Sequence, residues 1–358
     1  MLDQSLGAQA LKRLASTLPR ALFGLLWGAA VVACAAQPAA QAPNRAASRV
    51  AATDSALTNQ LEQIARPSQG KIGIAFRIIE TGQAYALRGG DAFPMASVYK
   101  FPIALAVLAR VDDGQLRLSD SIALTARDLS LDRSPIADHF PEAGQSLTLS
   151  ELIADMIIDS DNTACDVLLK QLGGPSAVMA NLVRLGVTGL RVDRDELSIA
   201  ADLLNAARPG ALDHPDRKAI AKLEDSLTMV EEEARNRAYA SDRRDTATPS
   251  ALVDLLTRFQ LERTLSHAST TFLRALMDRA RPLRLAKDLP PNTASFHKTG
   301  TGWGSANDVS VITLPDGRHL AVAVLIKEIP HLTLESADTL IAQAGRAIYD
   351  RVSTAPDH

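Results

Sequence analysis

Cysteine is almost absent from this chain. Among 358 residues there are two, Cys34 and Cys165, and Cys34 falls in an N-terminal segment that we predict to be removed or modified. A domain that keeps Cys165 alone cannot form an internal disulfide, so its hydrophobic core must hold the fold together. Cys165 lies in the apolar pattern Thr163-Ala-Cys-Asp-Val-Leu-Leu, which predicts a buried helical position and not a catalytic thiol.

The chain also has neither an excess of basic residues nor a histidine pattern that is typical of metal ligands. The formal net charge is -3, and the seven histidines form no ligand-spaced pair. This charge gives no basic field for a nucleic-acid partner, and the histidine spacing does not favour a metallo-hydrolase. We therefore predict no cofactor, no metal and no nucleic-acid partner.

The chain also lacks a hydrophobic run long enough to span a membrane comfortably. Its apolar segment, 21–33, is short and follows three basic residues, Lys12, Arg13 and Arg20, which is the layout of a secretory signal. We predict a signal peptide over 1–34, a flexible linker rich in Ala, Pro and Gln over 35–52, and an exported, periplasmic protein. Val31-Val-Ala-Cys34 resembles a bacterial lipobox, which implies a lipid anchor through Cys34. Ordinary cleavage around Ala33-Cys-Ala35 is the alternative.

Strand patterns occur at both ends of the body, and helical patterns fill its middle. Residues 71–87 alternate around a Glu80-Thr-Gly-Gln turn and predict a hairpin, and residues 293–302 and 308–327 alternate as later strands. This order predicts an α/β (α+β) fold: an antiparallel sheet, flanked by helices and built from both chain ends, with an inserted all-helical domain. The predicted sheet domain covers 53–96 and 250–355. The predicted helical domain covers 97–249 and includes a long loop, 194–245, with a charged helix over 219–240.

The first candidate motif is Ser97-Val-Tyr-Lys100. Residues three apart share a face of a helix, and a lysine that has lost its proton can activate a neighbouring serine hydroxyl as a nucleophile. Pro102 suits an early helical turn, which places the helix start near Ser97, where free amides can hold an oxyanion. An isolated Ser-x-x-Lys, however, is more often a capped helix start with a solvated lysine.

Two further motifs follow in the chain. Ser160-Asp-Asn162 lies between two predicted helices, where it can act as an N-cap, as part of a site, or as both. Lys298-Thr-Gly300 lies on a late strand, where lysine and threonine beside a glycine suit the capture of a carboxylate. The alternative for Lys298 is an exposed lysine on an edge strand.

Together, the three motifs in this order resemble the set that is typical of class A serine β-lactamases and penicillin-binding proteins. The resemblance covers roughly residues 55–352 apart from one insertion, and it includes Leu172-Gly-Gly-Pro, Arg244-Asp-Thr-Ala-Thr-Pro249 and Ala306-Asn-Asp-Val. It implies a β-lactamase/transpeptidase-like fold and a monomer. It also implies hydrolysis of the β-lactam amide through an acyl-serine intermediate, and hence antibiotic resistance.

The resemblance implies a role for each residue of the first two motifs. Ser97 would attack the lactam carbonyl, and Lys100 would help to remove its proton. Ser160 would relay a proton to the leaving nitrogen. Asn162 would orient Lys100 and the substrate amide.

On the strand, the resemblance implies substrate binding. Lys298 and Thr299 would hold the substrate carboxylate, beside Gly300. The amides of Ser97 and Thr301 would form the oxyanion hole. Many relatives add an arginine here, but after Gly304 this chain has none until Arg318. Arg284, well before Lys298 in the chain, resembles an alternative arginine position that some relatives use; the other interpretation is a surface charge.

The chain departs from the family where the acyl-enzyme is hydrolysed. Class A enzymes activate water with a glutamate, usually within Glu-x-x-Leu-Asn, that follows an arginine. Leu190-Arg-Val-Asp-Arg-Asp-Glu196 resembles this loop entrance and nominates Glu196, but Ala200 replaces the asparagine. Glu232, in Glu232-Glu-Ala-Arg-Asn236, is the alternative base. Arg133 stands where relatives often have an aromatic residue.

Two other functions stay open at this point. A D-alanyl-D-alanine carboxypeptidase-like serine hydrolase shares the same motifs, and a non-turnover penicillin-binding sensor would be acylated without releasing product. The enlarged loop and Ala200 keep the carboxypeptidase open, because they bear on hydrolysis of the acyl-enzyme and not on its formation. The sensor would predict that no glutamate activates water.

Overall fold

The computed structural model describes residues 54–130, 132–212, 216–329 and 333–353. The predicted signal peptide 1–34, Cys34 and the linker 35–52 lie outside the described residues. Strands β1 to β9 span Lys71–Ile78, Ala84–Leu87, Phe93–Pro94, Ser121–Ala123, Ser146–Thr148, Thr246–Ala247, Ser295–Gly302, Ser305–Thr313 and His319–Lys327.

Helices α1 to α12 span Ser55–Ala65, Lys100–Asp112, Pro135–His139, Leu149–Ala154, Asn162–Leu172, Pro175–Arg184, Glu196–Ala207, Arg217–Glu224, Met229–Ser241, Pro249–Gln260, His267–Arg279 and Leu334–Ser353. Short 3-10 turns cover Arg66–Ser68 and Ala96–Tyr99, and a π-helical segment covers Asp155–Asp159. Within the ranges given above, none of these helices combines the length and the apolar character that a membrane crossing needs.

The main sheet joins the two ends of the body. Its strand order is β2-β1-β9-β8-β7, and every neighbouring pair is antiparallel. Strands β1 and β2 come from the start of the body and β7 to β9 from its end, while helices α2 to α11 lie between them in the chain. The predicted fold class is confirmed.

Alternate residues of the central strands face two different cores, as the period of a strand requires. On one face, Ile74 and Val324 belong to a core that includes Ile341 of α12. On the other face, Val309 belongs to a core that includes Leu255 of α10 and extends through the buried residues of α2 and α5. This second core joins the sheet to the inserted helices, so the domain boundaries at residues 97 and 249 stay a prediction.

The long loop 194–245 is folded into the helices α7, α8 and α9. The prediction of one helix over 219–240 is wrong, because α8 ends at Glu224 and α9 starts at Met229. The Thr228 hydroxyl accepts the Glu231 amide hydrogen, and the Glu231 carboxylate accepts that of Thr228. This capping box starts a new helix. Apolar residues of α7 and α8, including Leu204, form a small core of their own.

Candidate active site

The nucleophile candidate Ser97 lies in the 3-10 turn that leads directly into α2. Lys100 is the first residue of α2, its side chain is fully buried, and its Nζ lies 3.2 Å from Ser97 Oγ. Pro102 falls in the first turn, where a missing amide hydrogen costs nothing. Ser97 and Lys100 therefore lie on the same face of the helix start, as predicted, and the alternative of a solvated lysine is wrong.

The buried Lys100 amine connects three separate parts of the chain. Its Nζ donates to the Ser160 carbonyl oxygen at 2.7 Å and to Asn162 Oδ1 at 2.5 Å. Glu196 Oε1 lies 3.1 Å from the same nitrogen. The structure thus brings Ser97, Ser160, Asn162 and Glu196 around one nitrogen, in a site where burial strengthens each electrostatic contact.

The second motif is both a helix cap and part of this cluster. The Asp161 carboxylate caps α5 by accepting the Ala164 amide hydrogen at 2.8 Å. Ser160 precedes it in the left-handed region, with φ 61°, and this turn directs its carbonyl to Lys100. The motif is therefore both a helix cap, through Asp161, and part of the cluster around Lys100, through Ser160 and Asn162.

Lys298 reaches the same serine hydroxyl from the opposite side. Its Nζ donates to Ser160 Oγ at 3.0 Å and to the Thr299 carbonyl at 3.1 Å, and Lys100 Nζ lies 3.4 Å from the same Oγ. β7 is an edge strand, but Lys298 is only 1 % exposed, so the alternative of an exposed edge lysine is wrong. Burial lowers the pKa of Lys298 well below its ordinary value, and the charge of Lys100 acts in the same direction.

Strand β7 packs directly against the backbone around Ser97. A Cβ at Gly300 would lie 2.5 Å from the Met95 carbonyl oxygen and 3.0 Å from the Ser97 nitrogen. A residue with a side chain cannot come so close. Asn307 on β8 maintains this arrangement, because its Nδ2 donates to the carbonyls of Pro94 and Met95, each at 2.9 Å.

A cavity of about 190 Å³ opens beside Ser97. Its lining includes Ser160, Thr299 and Gly300, together with Arg133, Arg284 and Thr301. Its size and polar lining suit a small anionic group next to the nucleophile. Arg133 has φ 32°, and its carbonyl accepts the Asn162 amide hydrogen at 3.1 Å.

Arg284 is not a surface charge. Its side chain is 2 % exposed, and its Nε lies 2.6 Å from Asp338 Oδ1. Its Nη1 donates to the carbonyls of Gly300 and Asn307, and its Nη2 donates to Thr301 Oγ1 at 2.6 Å. The guanidinium therefore ties β7 and β8 to α12 and orients the Thr301 hydroxyl at the cavity.

Glu196 is held at the start of α7 by a residue of α5. Asp166 Oδ1 accepts the Glu196 amide hydrogen at 2.8 Å, and Asp166 Oδ2 accepts from Arg217 at 2.8 Å. Burial raises the pKa of Asp166 to about 7, with the Glu196 charge adding to the rise. Ala200, one turn after Glu196, lines a second cavity of about 360 Å³.

The alternative base Glu232 lies elsewhere. It is exposed on α9, whereas the Glu196 side chain is 14 % exposed and lies 3.1 Å from Lys100. The proximity of Glu196 to the buried amine favours it as the general base.

An ion pair joins the two ends of the enlarged loop 194–245, and we call this junction the neck. Arg194 Nε lies 2.7 Å from Asp245 Oδ2, and both side chains are buried. Asp245 Oδ1 also accepts the amide hydrogens of Asp193 and Arg194. Since Met95 donates its amide hydrogen to the Asp245 carbonyl at 3.1 Å, the neck lies next to the nucleophile turn.

Sequence reasoning missed several residues of this site. Asn307 had a signal, because it stands in the Ala306-Asn-Asp-Val segment, but no role was assigned to it. Asp166 had none, since it acts through contacts with Glu196 and Arg217, which are distant in the sequence. Tyr239 had none either, since its hydroxyl accepts the Ala96 amide hydrogen and its ring packs on Trp303. In the described ranges, no group of three or more His, Cys, Asp and Glu residues is arranged to hold a metal ion.

A serine and a buried lysine at a helix start, facing a second lysine on the edge of an antiparallel sheet, define a serine hydrolase of the acyl-transfer type. The model of the Beta-lactamase enzyme family matches residues 56–352. The chain belongs to this family, and solved relatives assign it to class A.

The individual relatives agree with this assignment. β-Lactamase VEB-1 of Pseudomonas aeruginosa is 31% identical over 283 residues, which are 76% of this chain and 82% of that protein. The carbapenem-hydrolysing β-lactamase KPC of Klebsiella oxytoca is 30% identical, over 81% of this chain and 88% of its own length. An ancestral Gram-negative class A β-lactamase superposes with a TM-score of 0.67 at 34% identity, over 82% of this chain and 99% of that one.

Proposed function

We propose that this protein hydrolyses the amide bond of β-lactam antibiotics through an acyl-enzyme on Ser97, and so confers resistance to them. The observation that carries the proposal is the buried Lys100 amine, which contacts Ser97, Asn162 and Glu196 at once. Family membership supports the same activity. The carboxypeptidase and sensor alternatives are not favoured, because the relatives reported above are β-lactamases.

The acylation half of the reaction uses the two lysines and the two serines. Lys100 removes the proton of Ser97 as the oxygen attacks the lactam carbonyl. Ser160, whose hydroxyl lies between Lys100 and Lys298, gives its proton to the leaving nitrogen and receives one from Lys100, which thereby returns to its neutral form. The amides of Ser97 and Thr301 hold the oxyanion, a contact typically worth about 3 kcal/mol of barrier.

The substrate carboxylate occupies the cavity beside Ser97. Lys298 and Thr299 bind it there, and Gly300 lets the strand approach closely enough for both to do so. Arg284 lines the same cavity, with its charge paired to Asp338. Its hydrogen bonds are already used within the protein, so it acts on the substrate through the Thr301 hydroxyl that it orients.

Glu196 serves the deacylation half. Its carboxylate activates a water that attacks the acyl carbonyl, and Asp166 fixes the start of α7 that carries it. Ala200 provides no side-chain amide for that water, so we expect deacylation to be slower than in relatives that keep the asparagine.

We extend the proposal to the location of the protein. The signal-like segment 1–34 supports export to the periplasm, and the lipobox-like Val31-Val-Ala-Cys34 supports a lipid anchor on Cys34. Mass spectrometry of the mature N-terminus tests this: a diacylglyceryl-modified Cys34 is expected, and an unmodified terminus near residue 35 would contradict the anchor. We expect a monomer, which light scattering checks.

The activity is tested with a chromogenic cephalosporin and residues 50–358. We expect many turnovers per protein molecule, abolished in Ser97→Ala. A burst that stops at one equivalent would show acylation without deacylation and support the sensor. No product at all would contradict β-lactam hydrolysis.

The assignment of the base is tested separately. Glu196→Gln should accumulate acyl-enzyme, visible as a mass increase on Ser97, with an unchanged acylation rate. Glu232→Gln, a matched control on the exposed face of α9, should turn over as the parent does. Trapping by the Glu232 variant instead would move the base to that residue.

A further inference from the structure

Helix α9 of the enlarged loop ends beside the nucleophile turn. Tyr239, in its last turns, is 4 % exposed, and its hydroxyl accepts the amide hydrogen of Ala96 at 3.0 Å. Ala96 directly precedes Ser97 and has φ 44°, in the left-handed region that residues with a side chain seldom adopt. The hydrogen bond from Ala96 to Tyr239 therefore holds a strained residue next to the nucleophile.

The same tyrosine ring contacts the far end of strand β7. It packs edge-to-face on Trp303, with ring centroids 5.0 Å apart and an interplanar angle of 74°. Trp303 has φ 46° and lies in the turn between β7 and β8, two residues after Thr301. One side chain of the enlarged loop thus touches both segments whose amides are assigned to the oxyanion hole.

Contacts at both ends of α9 fix the position of this ring. Near its start, Arg208 binds Glu231 through two nitrogens, at 2.7 and 2.9 Å. At its end, Lys327 Nζ donates to the Ala240 carbonyl at 3.3 Å, where a cation also complements the helix dipole. Burial raises the pKa of Tyr239, so the hydroxyl keeps its proton at every pH at which the enzyme is assayed.

We propose that Tyr239 is a positioning residue for the oxyanion hole, because it sets the distance between the Ser97 and Thr301 amides. The inference rests on the proposed β-lactamase function. The enlarged loop then has a second role besides carrying Glu196, because α9 contacts the Ala96 backbone with the Tyr239 hydroxyl and the Trp303 turn with the Tyr239 ring. A shift of either amide weakens the contact with the developing oxyanion, which forms only in the transition state.

Tyr239→Phe tests the hydroxyl alone, because the ring stays on Trp303. We expect the acylation rate constant, measured by stopped flow with a chromogenic cephalosporin, to fall roughly tenfold. The deacylation rate constant should fall as well, because the same two amides hold the oxyanion that forms when water attacks the acyl carbonyl. The dissociation constant of the complex that precedes acylation, obtained from the substrate dependence of the stopped-flow rate, should change little, because the substrate carboxylate site is untouched.

Tyr85→Phe is the matched control. Tyr85 is also buried, stacks on Phe76 with centroids 5.3 Å apart, and makes one hydroxyl contact, to Thr58 Oγ1 at 2.9 Å. It belongs to the core on the opposite face of the sheet. Both variants should lose similar melting temperature, whereas only Tyr239→Phe should slow acylation.

Wild-type acylation in Tyr239→Phe, with the same loss of melting temperature as Tyr85→Phe, would reduce Tyr239 to a structural role and overturn the proposal. An equal fall in acylation in both variants would overturn it as well. Failure of the parent enzyme to turn over the cephalosporin would refute the proposed function itself, and it is seen before any variant is compared.

Discussion

Replacing Gly300 by alanine should separate strand β7 from the nucleophile turn. The new Cβ would lie 2.5 Å from the Met95 carbonyl oxygen and 3.0 Å from the amide nitrogens of Ser97 and Val98. All three are backbone atoms, and Asn307 holds the Met95 carbonyl from the other side at 2.9 Å. No flexible side chain can move aside, so the strand and the turn must move apart.

The size of the effect follows from these distances. Ordinary contact with an oxygen begins near 3.4 Å, so the strand must shift by roughly 1 Å. A misplacement of about 1 Å can cost on the order of 10²-fold in rate, and loss of one oxyanion donor costs about 10²- to 10³-fold. We expect acylation to slow by about 10²-fold, with overpacking lowering the free energy of unfolding by about 1–3 kcal/mol.

Stopped-flow acylation and urea unfolding measure the two quantities. Gly302→Ala is the matched control, since it lies on the same strand and a Cβ there would meet nothing within 4 Å. It should acylate and unfold like the parent. A Gly300→Ala variant with the parent acylation rate would refute the claim that this close approach sets the oxyanion hole.

Two further predictions concern the enlarged loop. Arg194→Ala leaves the buried Asp245 carboxylate without its charged partner and should lower the free energy of unfolding, measured in urea, by about 3 kcal/mol. Arg191→Ala, the control, removes an exposed ion pair and should lower it by under about 1 kcal/mol. Equal losses in the two variants would contradict a structural role of the neck. Asp166 keeps its proton in the folded state up to a pKa of about 7 but releases it near 3.8 when unfolded. The free energy of unfolding should therefore fall as pH rises between these values, by at most roughly 1.4 kcal/mol per pH unit. Asp166→Asn should flatten this pH dependence in urea titrations. The same pH dependence in the parent and the variant would refute the assignment to Asp166.

Local patterns in the sequence predicted the parts of the site that depend on local geometry. The spacing of Ser97 and Lys100 placed both on one face of a helix start, and the structure has their side-chain atoms 3.2 Å apart. Likewise, short polar residues before 163 predicted a helix cap, which Asp161 provides. The alternation of apolar and polar residues predicted the strands of the sheet, because this pattern depends only on consecutive residues.

Features that depend on distant contacts could not be predicted in this way. Lys298 lies on an edge strand, and only its packing against Ser160 shows that it is buried. Arg284 could equally have been a surface charge, because Asp338 and Thr301, which bind it, are remote in sequence. For the same reason, no local pattern could identify Tyr239 as a neighbour of the nucleophile turn.

The position of Glu196 is fixed by contacts outside the rest of the enlarged loop. Glu196 follows the neck directly, and the Arg194–Asp245 pair and the Asp166 carboxylate fix it before the inserted residues begin. Extending a loop between fixed ends adds little entropic cost, and the inserted helices bury their own apolar residues. The length of the loop is therefore compatible with a fixed position of Glu196. Its last helix lies next to the neck, where Tyr239 accepts the Ala96 amide hydrogen, so this helix is part of the structure around Ser97.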